Sequence, residues 1–400
     1  MGRLSEALIM PGSSIKIMKH NIFLPLLFSL FASCFSTGIT VPQASLNKEP
    51  KEEISSVNPE EIKETYLTGV VKEIISDTEE ELPGGNKQRF QNLLITILSG
   101  QEKGKERPAI NVIPDNPAFS VVGEVGRKYL ITKVENLKTG QEDYFLVDYY
   151  RQNFVWLLVL VFIVVLLAVG GLKGFRAIVS LFATILFIAF ILIPGIEKGI
   201  NPLLAAVLVS LLSTAVTMLL VAGWNFKSLA STLGTVIGVS FSGLISMLVI
   251  KFAPLSGLAS SEAQILWGNQ YYEINFKGLL AAGMIVSCLG AVMDVAISIA
   301  SSIQEIKTAN PNYLLKDLFK AGMNVGKDIM GTMTNTLVLA YTGMAMPLLL
   351  LISHEKLASK FLNLELVVSE VTAAIAGSVG LIVSVPTTAI IMAYLMSRKK

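Results

Sequence analysis

The chain has 400 residues, 52% of them hydrophobic and only 16% charged, with a net charge of +2 and a mean hydropathy of +0.61. Soluble domains carry about 25% charged residues, so this composition excludes an ordinary soluble protein and points to a membrane protein. The near-neutral charge excludes nucleic acid as a bulk electrostatic partner.

Residues 1–44 read as a signal peptide or an N-terminal anchor. Lys19 and His20 form a basic start, residues 22–31 an apolar stretch too short to span a bilayer, and Ala32 and Ser33 supply small residues beyond it. Cys34 after "FAS" faintly resembles a lipoprotein processing site. Cleaved or retained, the segment exports the residues next in the chain. Residues 45–64 form a charged tether. Residues 65–150 then hold runs rich in Val, Ile, Leu, Thr and Tyr ("TYLTGVVKEIIS", "RFQNLLITIL", "KYLITKVENL", "DYFLVDYY"), separated by turn-forming "LPGGNK", "GQEKGKERP" and "NLKTGQED". This pattern predicts a small all-β domain, a barrel or a sandwich, of the size of an OB or SH3-like barrel. It carries no catalytic motif, so its role is binding or packing.

Residues 151–400 predict an all-α polytopic bundle. About seven stretches satisfy the twenty-residue criterion, at 154–170, 177–194, 202–222, 229–252, 278–303, 331–352 and 367–395, with six spans and one re-entrant segment as the alternative. The last contains Gly377, Gly380 and Pro386 and is expected to be tilted or broken. With seven spans, Lys173, Arg176, Lys227, Lys307, Lys316, Lys320, Lys327, Arg398, Lys399 and Lys400 share one side, and Arg151, Lys198, Lys251, Lys277, Lys356 and Lys360 the other. The basic excess makes the first side cytoplasmic. The β domain is then extracytoplasmic, as an export signal requires. Gly234, Gly238 and Ser242, four apart, make a small face for helix packing.

Two polar stripes interrupt the apolar runs. Asp294, Ser298, Ser301 and Glu305 are spaced i, i+4, i+7, i+11, and Asn324, Asp328, Thr332 and Asn335 i, i+4, i+8, i+11. Such steps keep each set on one helix face. Asp294 falls about 24 Å into its span at 1.5 Å per residue, and Asn335 reaches a comparable depth from the other side. A carboxylate inside a bilayer costs several kcal/mol and calls for a partner, for which Lys327 and Asn335 are candidates, or for a watery cavity. The Ser and Thr residues are also compatible with bonds to their own backbone, and Glu305 and Asp328 with an interfacial position. The connecting "KTANPNYLLKDLFKAG" has the spacing of an amphipathic surface helix. Glu370 opens the last span on the outer side. Cys34 and Cys288 lie in apolar segments and the chain holds two histidines, so no disulfide framework, Cys/His metal site or cofactor is expected.

The segments "GAVMDVAISIASSIQEI" and "GMNVGKDIMGTMTNTLVLAYTG", with "DYYR" (Asp148–Arg151) before the first span, resemble the YibE/F-like family of bacterial multi-span membrane proteins, from about residue 65 onward. The resemblance implies an integral protein of a bacterial envelope, in the cytoplasmic (inner) membrane, and assigns no catalytic residues.

Three functions compete. A transporter or permease would use the stripe residues as a pathway for a small solute or ion, with Asp294 binding a cation or proton and Ser298, Thr332 and Asn335 as neutral ligands. An assembly or sensing protein would bind an envelope protein through the β domain. A membrane-embedded enzyme would pair Asp294 with Asp328, but no His-Glu-x-x-His or Gly-x-Ser-x-Gly motif is present. The first reading is preferred, with no catalytic residue and with the lipid bilayer as the constant partner.

Overall fold

The computed structural model describes residues 62–81, 87–116, 120–268, 274–354 and 361–398. The signal-peptide and Cys34 readings lie outside the described residues. Contacts divide the chain after Gly171 into a barrel-bearing unit and a helical unit.

The first unit contains β1 (Ile62–Glu81), β2 (Lys87–Ile97), β3 (Glu106–Ile113), β4 (Lys128–Asn136) and β5 (Glu142–Tyr149). They close into a barrel in the order β1-β2-β3-β5-β4. All pairings are antiparallel except β3 with β5, an OB-type arrangement. The sequence pattern left barrel and sandwich open, and β1 decides between them. β1 is 20 residues long, starts inside the stretch read as a tether, and pairs with β4 along its first half and β2 along its second. Irregularities at Val71/Glu73 and Ile74/Ser76 bend it, as bulges do where a sheet curls on itself. At the crossover, a Cβ on Gly69 would collide with Ile131 and stand 3.0 Å from the Thr96 carbonyl oxygen, so any larger residue would have to displace the buried Ile131 side chain. Alternate residues point inward and build a core that includes Leu93, Ile95, Ile97, Tyr129 and Ile131, all fully buried.

Polar side chains fasten this barrel. The buried Gln91 Oε1 accepts from Asn111 Nδ2 at 3.0 Å and Gly123 N at 2.8 Å, and Tyr129 OH donates to the Val122 carbonyl at 2.8 Å. These bonds hold the turn "VVGEVG" on the barrel. On another flank Lys133 Nζ donates to Glu102 at 2.8 Å and Glu142 at 2.6 Å, Tyr144 OH donates to both carboxylates, and Arg107 Nε donates to Glu102. The bond from Lys133, helped by Tyr144 and Arg107, holds the Glu102 carboxyl down at about 2 from 4.5. The Arg89 and Gln91 bonds hold Asp77 down at about 2 from 3.8. Burial, and then the two carboxylates it faces, push Tyr144 up to about 12 from 10.0.

The linkage has two signs. The depressed carboxylates stabilise the fold above their unfolded values, and that stabilisation is lost as pH falls through about 2. The raised Tyr144 stabilises the fold below 10.0, and its contribution is lost as pH rises through about 12. Barrel stability in the full chain, followed by near-ultraviolet circular dichroism of its tyrosines, is therefore expected to be level between about 4.5 and 10.0 and to fall beyond both limits. Glu102→Gln should cost about 2 kcal/mol at neutral pH and flatten the acid limb; an unchanged acid limb would show that the network carries none of it.

After the barrel comes α1 (Gln152–Phe187). Its first half is apolar on every side, with Phe154, Val155, Leu157, Leu158, Leu160 and Val161 all exposed, the mark of a helix that meets lipid rather than a protein core. The helix breaks at Gly171, whose φ of 52 and ψ of −131 suit glycine alone. The second half continues through a π-helical stretch (Ile188–Leu192) into α2 (Ile193–Glu197). Then come α3 (Pro202–Ala222), α4 (Phe226–Phe252), the short α5 (Ser261–Gly268), α6 (Phe276–Ala309), α7 (Leu315–Met344), α8 (Met346–His354) and α9 (Glu365–Ser397). Asn201, Asn225 and Asn275 start α3, α4 and α6, each side chain accepting a first-turn backbone N–H at 3.0 Å.

Within the helical unit α6 is central, packed by α3, α4, α7 and α9, with Ile285, Cys288, Val292, Val295, Ile299 and Ile303 fully buried. Gly234, Gly238 and Ser242 line the contact of α4 with α9. A Cβ on Gly238 would stand 2.6 Å from the Gly380 carbonyl oxygen, and one on Gly234 would collide with Thr388.

Among the described residues, five helices, counting Gln152–Glu197 as one, are long and apolar enough to cross a membrane, or up to six if the bent pair α7–α8 is one span. Two expectations need correction. Of the tilted or broken alternatives for the last span, the break is absent: α9 is one helix through Pro386. Its glycines are packing contacts, Gly377 against Cys288 and Gly380 against Gly238, and the break falls instead as a 62° bend between α7 and α8. Nor does the segment after α6 form a separate surface helix. Residues 315–322 are the first turns of α7, because Leu318 is fully buried and Gly322 seats Ile303.

Candidate functional site

Neighbour contacts fix the depth of each polar residue. α6 and α7 run antiparallel, with Gly322 against Ile303, Gly326 against Ile299, and Ser287 Oγ hydrogen-bonded to Tyr341 OH. Asp294 therefore lies level with Gly331 and Thr332. Asn335 and Asp328 are displaced by about one turn to either side, or about 5 Å. Against α4, Val292 meets Gly238 and the Ala296 carbonyl accepts from Ser231 Oγ at 3.4 Å. Asp294, between them in sequence, is level with Gly234 and Thr235.

Side-chain direction separates these groups. Val292 and Ala296 face α4, and two residues turn a helix by about 200°, so Asp294 points away from α4. Its carboxylate is exposed and makes no hydrogen bond or ion pair among the described residues, with neither Lys327 nor Asn335. Ser298 and Ser301 are half-buried beside it, and Glu305 is exposed one end further along. On α7 the packed stripe runs through Leu318, Gly322, Gly326 and Leu337. Asn324, Asp328, Thr332 and Asn335 occupy the opposite, exposed face. The stripes thus share a depth range, yet no hydrogen bond joins them among the described residues. The interhelical bond there is Ser287 with Tyr341. Thr332 Oγ1 donates to its own helix at Ile329 O, 2.9 Å, and Ser302 Oγ to Ser298 O, 2.9 Å. Glu370 is half-buried on α9.

A second polar group stands at the same depth and escaped the sequence reading. Ser228 Oγ donates to Met218 O at 3.2 Å, and Gly243 packs on Leu203. These contacts make α3 and α4 antiparallel neighbours, with Thr235 opposite the turn that holds Ser210, Ser213 and Thr214. Thr388 of α9 meets Gly234 in the same layer. All five side chains are at most 1% exposed, and their hydroxyl oxygens have no hydrogen-bond partner among the described residues. Serine and threonine in such helices normally satisfy themselves on the preceding turn, as Ser246 does on Ser242 O at 2.9 Å. Five that do not, at one level, are unusual. The only signal in the sequence was the recurrence of hydroxyl residues through α3 and α4.

Sequence reading also missed Glu365. Its Oε1 accepts from Ser256 N, Ser256 Oγ and Gly257 N at 2.7, 2.8 and 2.9 Å, tying the loop after α4 to the start of α9.

Chemically the layer offers hard oxygen donors and one carboxylate, on opposite faces of α6. That donor set suits a small cation, a proton or water, whereas a carboxylate dyad would need Asp294 and Asp328 to converge on one substrate.

A family model described as YibE/F-like protein matches residues 158–398. The chain belongs to the YibE/F-like family. No curated protein and no solved structure matches it. The YibE/F-like match takes in the helical unit, with Asp294, both stripes and the hydroxyl layer. It begins at 158 rather than near 65, so the barrel and "DYYR" lie outside it.

Proposed function

We propose that this YibE/F-like protein is a multi-pass permease of a bacterial inner membrane, moving a small cation or a cation-coupled solute past Asp294. The observation that carries this reading is the polar layer. Asp294 and the five buried hydroxyls lie at one depth, near the middle of the 34-residue α6. Secondary transporters keep their binding sites near the bilayer midplane, and an intramembrane carboxylate is retained for a reason other than stability. Ser298, Thr332 and Asn335 supply neutral oxygens within a turn of Asp294.

A seven-span topology suits this reading. Gln152–Glu197 is 46 residues, or about 69 Å at 1.5 Å per residue, against a hydrocarbon core of about 30 Å. Division at Gly171 yields two segments of spanning length, and α7–α8 taken as one span completes seven. The barrel is then extracytoplasmic and the basic C-terminus cytoplasmic, in accord with the lysine and arginine distribution.

The test is flux. Full-length protein in liposomes loaded with a pH-sensitive dye should carry protons or alkali cations down an imposed gradient, and Asp294→Asn should slow this at least tenfold, while Glu305→Gln leaves it unchanged. Flux equal to that of protein-free liposomes, or an Asp294→Asn variant as fast as the parent, removes the reading.

A further inference from the structure

Where β5 passes into α1, the barrel-bearing unit holds a cleft of about 780 Å³, lined among others by Arg127, Lys128, Tyr149, Tyr150, Arg151 and Phe154. This is the size of a small-molecule site. Two guanidinium groups flank one ring, with Arg127 Cζ 4.5 Å and Arg151 Cζ 5.4 Å from the Tyr149 centroid. Tyr149 is itself held 5.5 Å from the buried Tyr129 ring. Each arginine gives one nitrogen to a neighbouring carboxylate, Arg127 to Glu124 at 3.0 Å and Arg151 to Asp148 at 2.7 Å. A guanidinium carries five N–H donors, so both retain free edges. Lys128 is exposed, with no partner for its ammonium among the described residues, and its carbonyl accepts from Tyr150 N at 3.2 Å, which keeps it beside the cleft. Three cations thus face two carboxylates, and the excess is positive.

The other wall of the cleft is apolar. Phe154 and Val155 line it, and from there α1 is exposed hydrocarbon on every side. Tyr149, Tyr150, Phe154 and Trp156 lie within eight residues, the composition of the aromatic belt at a membrane surface. A ligand in the cleft meets cations and aromatic rings at one end and a lipid-facing helix at the other. We propose that the cleft binds the phosphate of an anionic phospholipid, with Lys128 and the free edges of Arg127 and Arg151 on the headgroup and the acyl chains along α1. The assignment rests on α1 entering the membrane and is independent of transport.

The experiment titrates the full chain, in nonionic detergent, with phosphatidylglycerol, with phosphatidylcholine of the same chains and with glycerol 3-phosphate, read by native mass spectrometry and by thermal shift. Phosphatidylglycerol is expected to bind at least tenfold more tightly than either alternative. One membrane-surface cation contributes about 1 kcal/mol, roughly fivefold. Lys128→Gln should therefore lower phosphatidylglycerol affinity about fivefold and Lys128→Gln/Arg151→Gln about twentyfold, which abolishes a tenfold preference. Lys72→Gln, at a cation paired with Glu106 elsewhere on the barrel, should leave it unchanged. Lys128 is exposed, so the single variant tests the site without disturbing the fold. Equal binding of the two lipids, or a preference untouched by Lys128→Gln, overturns the proposal. Glycerol 3-phosphate binding as tightly as phosphatidylglycerol would make the ligand a soluble phosphate and overturn the lipid assignment.

Discussion

Gly238→Ala is expected to cost about 3 kcal/mol, the upper end for overpacking a close-packed interface. The added methyl would stand 2.6 Å from the Gly380 carbonyl oxygen, 2.9 Å from Ser384 Cβ and 3.0 Å from Val292 Cγ1. The nearest of these is backbone and has no rotamer to escape into. Gly380 faces it reciprocally, since a Cβ added there would stand 2.7 Å from the Gly238 carbonyl oxygen, so neither helix can yield without moving α4 off α9. Close approach of this kind is what small residues provide in membranes, where no hydrophobic effect drives helices together. The control is Gly283→Ala on α6, where a Cβ meets nothing within 4 Å. That change should be neutral or stabilise by up to about 1 kcal/mol through helix propensity. Thermal unfolding of the two variants in one detergent compares them directly. Equal transition temperatures would mean that the α4–α9 contact is looser than its geometry.

The same interface explains which features were legible in the sequence. Hydropathy and length located the long helices, because apolar runs are written locally. The spacing of Gly234, Gly238 and Ser242 announced a close contact but not its partner, which lies on α9 far along the chain. From sequence, Gly377 and Gly380 suggest a tilted or broken span, because glycine serves both to interrupt and to admit a neighbour, and only the neighbour decides. In the β domain, alternation marked the strands. Barrel closure depended on β1 pairing with both β2 and β4, which overlap at Gly69, and on the irregularities at Val71/Glu73 and Ile74/Ser76, a long-range event without a local signature. For the candidate site, Asp294 stood out because a carboxylate in an apolar helix is conspicuous. The levels of Thr235, Ser213 and Thr388 depend on three separate helix registers, which no single segment encodes.

That hydroxyl layer supports the prediction best able to separate function from architecture. Ser213→Ala/Thr235→Val removes two buried oxygens and leaves shape nearly intact. A buried hydroxyl without a partner costs about 1–3 kcal/mol, so the double variant should unfold at a higher temperature than the parent. If those oxygens also ligate a passing cation or its water, flux in the liposome assay should fall about tenfold in the same protein. Stability and activity then move in opposite directions, as expected where polar groups are kept for a task rather than for the fold. Thr336→Val is the matched control. Its hydroxyl is exposed and bonded to Thr332 O at 3.0 Å, and its loss should change neither reading by much. A double variant that gains stability with flux unchanged would leave Asp294 as the working polar group at this depth. One that loses stability would mean that the hydroxyls find partners in the folded protein and that the layer is architectural.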